Sequence, residues 1–429
     1  MMFTAIRNVW KMTDLRRRIL FTLAMLAVFR IGTFIPVPNV NASLLAERLA
    51  SNQIFGLLNT FSGGALQYFS IFAMSVTPYI TSSIIVQLLQ HGVVKKFEDW
   101  SKEGEHGRRK LLQITRYGTV LLALIQSVGL SISFNRQIPG LVIDPSFRTY
   151  ALIALTLTAG ATFLMWIGEQ ITDKGIGNGI SLLIFAGIIA GVEKGVRQIY
   201  ATWFYEHPEQ LTLNIVKLAL LVIGVLLIIV GVIYVQEGVR RIPVQYAKRV
   251  VGRKLYGGQS THIPMKVNAA GVIPVIFASS LLIFPATVAS WFKPNAVTLW
   301  IQANLTFGTP LYVTLEALLV IAFTYFYTYI QINPEQLTEQ MQKNAGFIPG
   351  IRPGEPTMRF ITRVMNRITL FGALFLAAVT VLPVLFMKAT GLNLYFGGTS
   401  LLIVVGVALD TMKQVEAQLL QRHYKGFIR

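Results

Sequence analysis

A chain of 429 residues that is 53% hydrophobic and only 13% charged is too apolar for a soluble protein and too long for a single membrane anchor. A formal charge of +19 raises nucleic acid as a partner, but the basic residues gather in alternate polar segments between apolar runs, a distribution that sets membrane topology. The lack of cysteine excludes disulfides and thiolate chemistry, and five scattered histidines without a His-x-x-x-His pair argue against a metal site.

Crossing a hydrocarbon core about 30 Å thick takes about 20 apolar residues, and roughly ten such runs can be marked out. They are continuous and rich in Leu, Ile, Val and Ala, which predicts helices; barrel strands would alternate over about ten residues. The first, Ile19 to Ile35, follows Arg16, Arg17 and Arg18, and no small-residue cleavage site closes it, so it is read as a span and not a signal peptide.

Before the second run, Phe69 to Leu89, lies FSGGALQYFSIFAMSVTPYI, residues 61–80. A glycine pair opens a short apolar segment and Pro78 interrupts the stretch beyond it, predicting a half-helix, a break and then a span. Irregular backbone at membrane depth survives only when buried in protein or facing an aqueous cavity; a kinked helix with a re-entrant start is the plainer reading of the same residues.

The third, fourth and fifth runs are Tyr117 to Phe134, Tyr150 to Ile167 and Ile180 to Val196. Just ahead of the fifth, ITDKGIGNGISLLIFAG, residues 171–187, places a glycine-rich turn at a helix start. Its glycines sit at alternate positions, no Lys-Ser/Thr comes after them and no strand precedes, so it is not a phosphate loop. The remaining runs are Leu213 to Val235, Ala269 to Trp291, Leu311 to Ile330, Ile368 to Phe386 and Gly398 to Met412.

Placing most of the basic residues on one side puts both termini inside and leaves Arg48, Arg136, Lys293 and Lys388 outside. Three inner connections are long: Gly92 to Arg116, Gln236 to Asn268 and Gln331 to Arg367. Long loops without a fold of their own are usually functional. In the second, Arg240, Arg241, Lys248, Arg249, Arg253 and Lys254 lie among β-branched and aromatic residues, predicting a protruding hairpin that displays charge. The third is punctuated by Pro334, Pro349, Pro353 and Pro356.

A division near Glu206 leaves five spans in residues 1–205 and five in residues 206–429. An odd number per half gives the halves opposite orientation, which permits an inverted repeat with a functional path at its interface. Residue-level similarity between the halves is not evident.

Four further segments, GVRRIPVQYAKR (238–249), NAAGVIPVIFASSLLIFPA (268–286), FIPGIRPGEPT (347–357) and YFGGTSLLIVVGVALD (395–410), complete a set of six. Together, in order and over essentially the whole chain, they closely resemble the bacterial SecY family. The resemblance implies an all-α membrane protein of about ten transmembrane helices, arranged as a clamshell of two inverted five-helix halves around an hourglass pore. The half-helix from about Thr60 to Phe72, including Gly63, Gly64, Ala65, Leu66 and Phe69, would be a plug in the outer funnel.

The family's pore ring would fall on Val76, Ile80, Ile180, Ile184, Ile276 and Ile403. A narrow apolar collar dewets and resists ions, while flexible side chains part around a polypeptide. The family usually carries isoleucine here, so Val76 is a departure that would widen the ring slightly. Without the resemblance, these six read as ordinary helix-packing residues.

Sideways opening in the family runs along the second, third, seventh and eighth spans, where this chain carries Gln87, Gln126 and Asn268. Such amides seek partners across helix interfaces, as a gate latch or simply as packing contacts. Contacts to a motor or ribosome map onto Arg240, Arg241 and Arg352, the last stiffened by Pro349 and Pro353, which lowers the ordering cost of binding. Guanidinium suits both acidic protein surfaces and phosphates, and Arg422, His423, Tyr424, Lys425 and Arg429 could extend the surface.

The implied partners are the small subunits SecE and SecG, a SecA-type ATPase, the ribosome, signal sequences and translocating polypeptides, and membrane lipids; the implied location is the bacterial cytoplasmic membrane. No cofactor is implied. A secondary transporter is the main rival, but its coupling ions need ionisable residues near the midplane. Here Arg30 and Glu316 lie toward the outer ends of their spans, and Asp410 and Lys413 toward the inner end of the last, where they can snorkel or pair. An intramembrane enzyme would need a nucleophile with a base or a metal box, and no such constellation is present.

Overall fold

The computed structural model describes residues 12–42, 44–45, 59, 62–90, 93–205, 211–246, 249–251, 254–256, 260–390 and 398–425. Arg48, Thr60, Gly92, Glu206, Lys248, Arg253 and Arg429, named above, lie outside them.

Each of the ten apolar runs becomes a helix: α1 (Thr13–Gly32), α2 (Thr77–Gln90), α3 (Glu105–Gln137), α4 (Phe147–Lys174), α5 (Gly179–Ile199), α6 (Leu211–Glu237), α7 (Ile273–Trp291), α8 (Pro310–Gln331), α9 (Glu355–Thr390) and α10 (Gly398–Lys425). Among the described residues, seven helices are long and apolar enough to cross a membrane by length and composition. Starts are set by local chemistry. Ser146 and Asn178 cap α4 and α5 through their side chains, and Thr309 caps α8 ahead of Pro310; each satisfies a first-turn N–H that the helix leaves orphaned.

The expected half-helix gives way to a different structure. Residues 62–76 form a succession of turns, and regular helix begins only at Thr77. Gly63, Gly64, Phe69 and Ser75 have φ values of +66°, +88°, +41° and +53°, a region that a right-handed helix cannot use. Ser62 and Ser70 divert backbone donors: the Leu66 N–H goes to Ser62 Oγ at 3.2 Å and the Phe72 N–H to Ser70 Oγ at 3.2 Å. Serine competes for the backbone in this way wherever helix is not strongly favoured.

This turn segment is tightly seated. A Cβ on Gly160 of α4 would lie 1.9 Å from the Ile71 carbonyl oxygen, and a Cβ on Gly63 would lie 3.0 Å from Gly187 Cα of α5. Glycine therefore lets the segment's backbone approach two helices directly.

Helix α2 packs on α3, α3 on α4, α4 on α5, α7 on α8 and α8 on α9, while α7 also meets α2 and α3, and α10 meets α5, α6 and α9. The largest buried cluster draws Phe29, Ile80, Leu164, Ile184, Val232, Ile276, Val320, Leu376 and Ile403 from α1, α2 and α4 to α10. The core thus sits where residues of the first five helices meet those of the last five.

The long inner connections are folded. Lys95–Lys102 forms a short helix before α3. Strands β1 (Val239–Tyr246) and β4 (Ser260–Lys266) pair antiparallel, and between them in the chain β2 (Arg249–Val251) and β3 (Lys254–Tyr256) pair with each other in a separate two-stranded sheet. The next connection adds β5 (Gly346–Phe347) to β1, pairing Gln245 with Phe347 and Tyr246 with Gly346. Ile242, Val244, Met265, Met341, Ile348, Ile361 and Met365 bury the underside of this sheet against the foot of α9.

Candidate functional site: an apolar constriction between a vestibule and a turn segment

Val76 at the end of the turn segment, Ile80 on α2, Ile184 on α5, Ile276 on α7 and Ile403 on α10 lie in one buried cluster, and half-buried Ile180 packs against it. Four separate stretches of chain, 76–80, 180–184, 276 and 403, therefore deliver the six aliphatic side chains singled out in the sequence. Between Ser75, Val76, Ile80, Ile184 and Ile276 remains a void of about 20 Å³, room for about one water molecule. The cluster is closed.

On one side of it opens a cavity of about 480 Å³, lined by Ile80, Ile180, Ile184 and Ile276 and, toward its mouth, by Gln87, Arg116, Glu169, Asp173, Asn178 and Tyr327. Arg116 Nε donates to Glu169 Oε1 at 2.8 Å. The cavity wall thus combines polar and charged side chains with aliphatic residues of the cluster.

The turn segment packs against the same cluster. Ala65 and Phe72 belong to the same cluster as the ring, while Leu66 and Phe69 pack with Phe134, Ile153 and Leu157. All are essentially without exposure, and the Phe69 and Phe134 rings meet edge to face at 5.9 Å. The segment is also tied to the end of α1, since the Val37 N–H donates to the Phe69 carbonyl and the Ile71 N–H to the Ile35 carbonyl, both at 3.0 Å.

The three amides singled out in the sequence have different surroundings. Gln87 on α2 takes a hydrogen bond from the Tyr327 hydroxyl on α8 and donates to Ser83 Oγ at 2.9 Å. Gln126 on α3 is buried and faces Ser280, Ile283, Phe284 and Thr287 of α7 across a small cavity. Asn268 bonds within its own turn, Nδ2 donating to the Gly271 carbonyl at 2.9 Å, and so is not brought to the other two.

Two contacts of this seam were not anticipated from the sequence. Tyr327 is one of several aromatics in FTYFYTYI, residues 323–330, and nothing local marks it. At the opposite end, Arg136 Nη1 of α3 donates to the Trp291 carbonyl at the end of α7 at 2.8 Å. The Trp291 ring covers Gly129, where a Cβ would lie 2.2 Å from it.

Arg240 and Arg241 are both exposed near the start of β1, on opposite faces of the strand, with Met265 and Pro264 of β4 as their cross-strand partners. Arg352 is exposed in the turn after β5, between Gly350 and Gly354 with φ of +82° and +97°; its carbonyl accepts from Thr357 Oγ1 at 2.8 Å. All three belong to the folded unit that the two long connections build together.

A family model named SecY matches residues 70–412. The protein translocase subunit SecY of Halalkalibacterium halodurans is 58% identical over 431 residues, with all of both chains covered, and that of Bacillus subtilis is 54% identical over the same span. The chain belongs to the SecY family. Among solved structures, one described as a protein conducting channel matches 94% of this chain and 92% of its own, with a TM-score of 0.63 and 16% identity. A SecY structure described through its plug domain matches with a TM-score of 0.60, and a canine ribosome-channel complex from the endoplasmic reticulum with 0.58. At that identity the likeness shows a shared fold, consistent with the ten-helix clamshell. As a SecY-family member the chain is a multi-pass membrane protein and the channel subunit of a Sec translocon, not an enzyme, and the small-solute transporter reading finds no support.

Proposed function

We propose that unfolded polypeptide passes through the constriction formed by Val76, Ile80, Ile180, Ile184, Ile276 and Ile403, entering from the 480 Å³ vestibule and displacing residues 62–76 as a plug. The observation that carries this reading is the convergence of four chain segments on one closed aliphatic cluster beside a polar-lined cavity and an irregular, glycine-seated segment. Aliphatic side chains hold no water and bind no ion, yet they can part around any sequence because they make no directional bonds.

Residues 1–205 and 206–429 act in this reading as the two halves of the clamshell. The seam of α2 and α3 against α7 and α8 is the lateral exit for apolar segments, closed by Gln87 with Tyr327 at one end and Arg136 with the Trp291 carbonyl at the other. Gln126 faces lipid-bound segments as they leave, whereas Asn268 shapes the turn that starts α7.

The vestibule, both termini and the β1–β4–β5 unit face the cytosol across a bacterial cytoplasmic membrane. Arg240, Arg241 and Arg352 there contact a SecA-type motor or the ribosome; SecE and SecG-like subunits brace the helices whose apolar faces meet lipid. Similarity to ribosome-bound channels supports the ribosome among these partners.

The test is ion permeability in reconstituted vesicles. Replacing Ile80 and Ile276 together by serine wets the constriction, and halide leak through the resting complex should rise about tenfold or more. Unchanged leak in a correctly folded double variant would remove the constriction from these residues.

A further inference from the structure

The turn segment has turn hydrogen bonds in place of a helix's regular ladder, so its position also depends on its neighbours. Besides the backbone bonds to the end of α1, two cations hold it. Arg30 Nη1 of α1 donates to the Gly63 carbonyl at 2.7 Å, and Lys194 Nζ of α5 donates to Gln67 Oε1 at 2.5 Å. They grip the segment four residues apart, from two different helices.

Each cation is itself steered. The Arg30 guanidinium lies 4.8 Å over the Phe34 ring and Lys194 Nζ lies 5.5 Å over the Tyr68 ring, while the Phe34 and Tyr68 rings touch at 5.4 Å. The Lys194 ammonium also stands 3.2 Å from where a Gly64 Cβ would be, a position that only glycine leaves free. Hydrogen bonds from an ionised donor are roughly twice as strong as neutral ones, yet both acceptors here are neutral. An ion pair would be harder to break; a charged donor on a neutral acceptor holds firmly and still releases.

We propose that Arg30 and Lys194 are positioning residues that form a two-point latch on residues 63–67 and keep the channel shut when no chain is in transit. The proposal rests on the reading of residues 62–76 as the plug.

The test uses the whole channel complex purified from membranes and reconstituted in vesicles, with halide leak and thermal unfolding measured on the same preparations. Three variants are compared with the parent: Arg30→Gln with Lys194→Gln together, Lys194→Arg alone, and deletion of residues 62–70. Leak raised at least tenfold in the double variant, since each charge-assisted bond lost is by itself a shift of about tenfold, with an unchanged unfolding temperature and parental leak in Lys194→Arg, supports the latch. Deletion that leaks while the double variant does not overturns the latch and leaves the plug reading standing. Deletion that does not leak overturns the plug reading and the latch with it. An unfolding temperature lowered without leak makes both residues ordinary packing contacts and also overturns the latch.

Discussion

The Tyr327 hydroxyl on α8 donates a hydrogen bond to the side-chain carbonyl of Gln87 on α2, joining residues 240 positions apart across the seam between the first five helices and the last five. Gln87 is held for this by its own bond to Ser83. The Phe277 ring of α7 meets Tyr327 edge to face at 5.2 Å, so the phenol is fixed from two sides.

Tyr327→Phe keeps the ring and removes the donor. A hydrogen bond of this kind contributes about 0.5–1.5 kcal/mol, so the seam should open roughly two- to tenfold more readily. Export of a reporter whose signal segment has a shortened apolar core should rise by that factor, while a reporter with an intact signal is unaffected. Equal export of the weakened reporter by both proteins would mean that the bond does not restrain the gate.

Gly160 predicts a steric effect. Leucine there drives its side chain into the Ile71 carbonyl, where even a Cβ has only 1.9 Å, and overpacking of this sort costs about 1–3 kcal/mol. Gly160→Leu should lower the unfolding temperature in detergent by several degrees and raise vesicle leak. Gly224→Leu is the control, because a Cβ at Gly224 meets nothing within 4 Å.

The glycine turn before α5 is bound into a joint. The Gly177 N–H donates to Gln414 Oε1 of α10 at 2.9 Å and the Ile176 N–H to Thr22 Oγ1 of α1 at 3.1 Å. Gln414→Leu leaves the Gly177 donor unpaired, with a cost of about 1–3 kcal/mol. Thermal unfolding should show that loss, and Gln414→Glu, which keeps an acceptor, should recover most of it.

For the inner loops, Arg352→Glu should weaken binding of a motor or ribosome at least tenfold at unchanged thermal stability, because the side chain is exposed and makes no contact with the sheet's buried underside. Ile242→Ala, at 3% exposure in that underside, should do the reverse and destabilise the unit by about 2–5 kcal/mol. Binding by co-sedimentation and unfolding by calorimetry separate the two; an Arg352→Glu variant that binds normally would detach Arg352 from the docking surface.

The ten helices were legible because apolar runs of about 20 residues have few alternatives in a membrane. The aliphatic ring was legible only through the family resemblance, since Ile80 or Ile276 carries no local mark that separates it from a packing residue. The features that escaped the sequence are non-local or conformational. Tyr327 and Arg136 find partners 240 and 155 positions away, and β5 joins a sheet begun far earlier in the chain, at Val239. The short apolar segment opened by the glycine pair suggests a half-helix from about Thr60 to Phe72; among its described residues the serine side chains and the left-handed backbone at Gly63, Gly64 and Phe69 outweigh that pattern.

The absence of cysteine opens the most direct measurement. A single Ile276→Cys substitution, tested against a cysteine in a secretory precursor arrested mid-transit by a folded tag, reports whether the passing chain touches the constriction. The account predicts a disulfide or bismaleimide adduct that requires a functional signal sequence and ATP-driven motor activity, and that is absent from Leu227→Cys on the exposed face of α6. Adducts formed at position 227 and not at 276 would contradict it, since the chain would then travel outside the aliphatic ring.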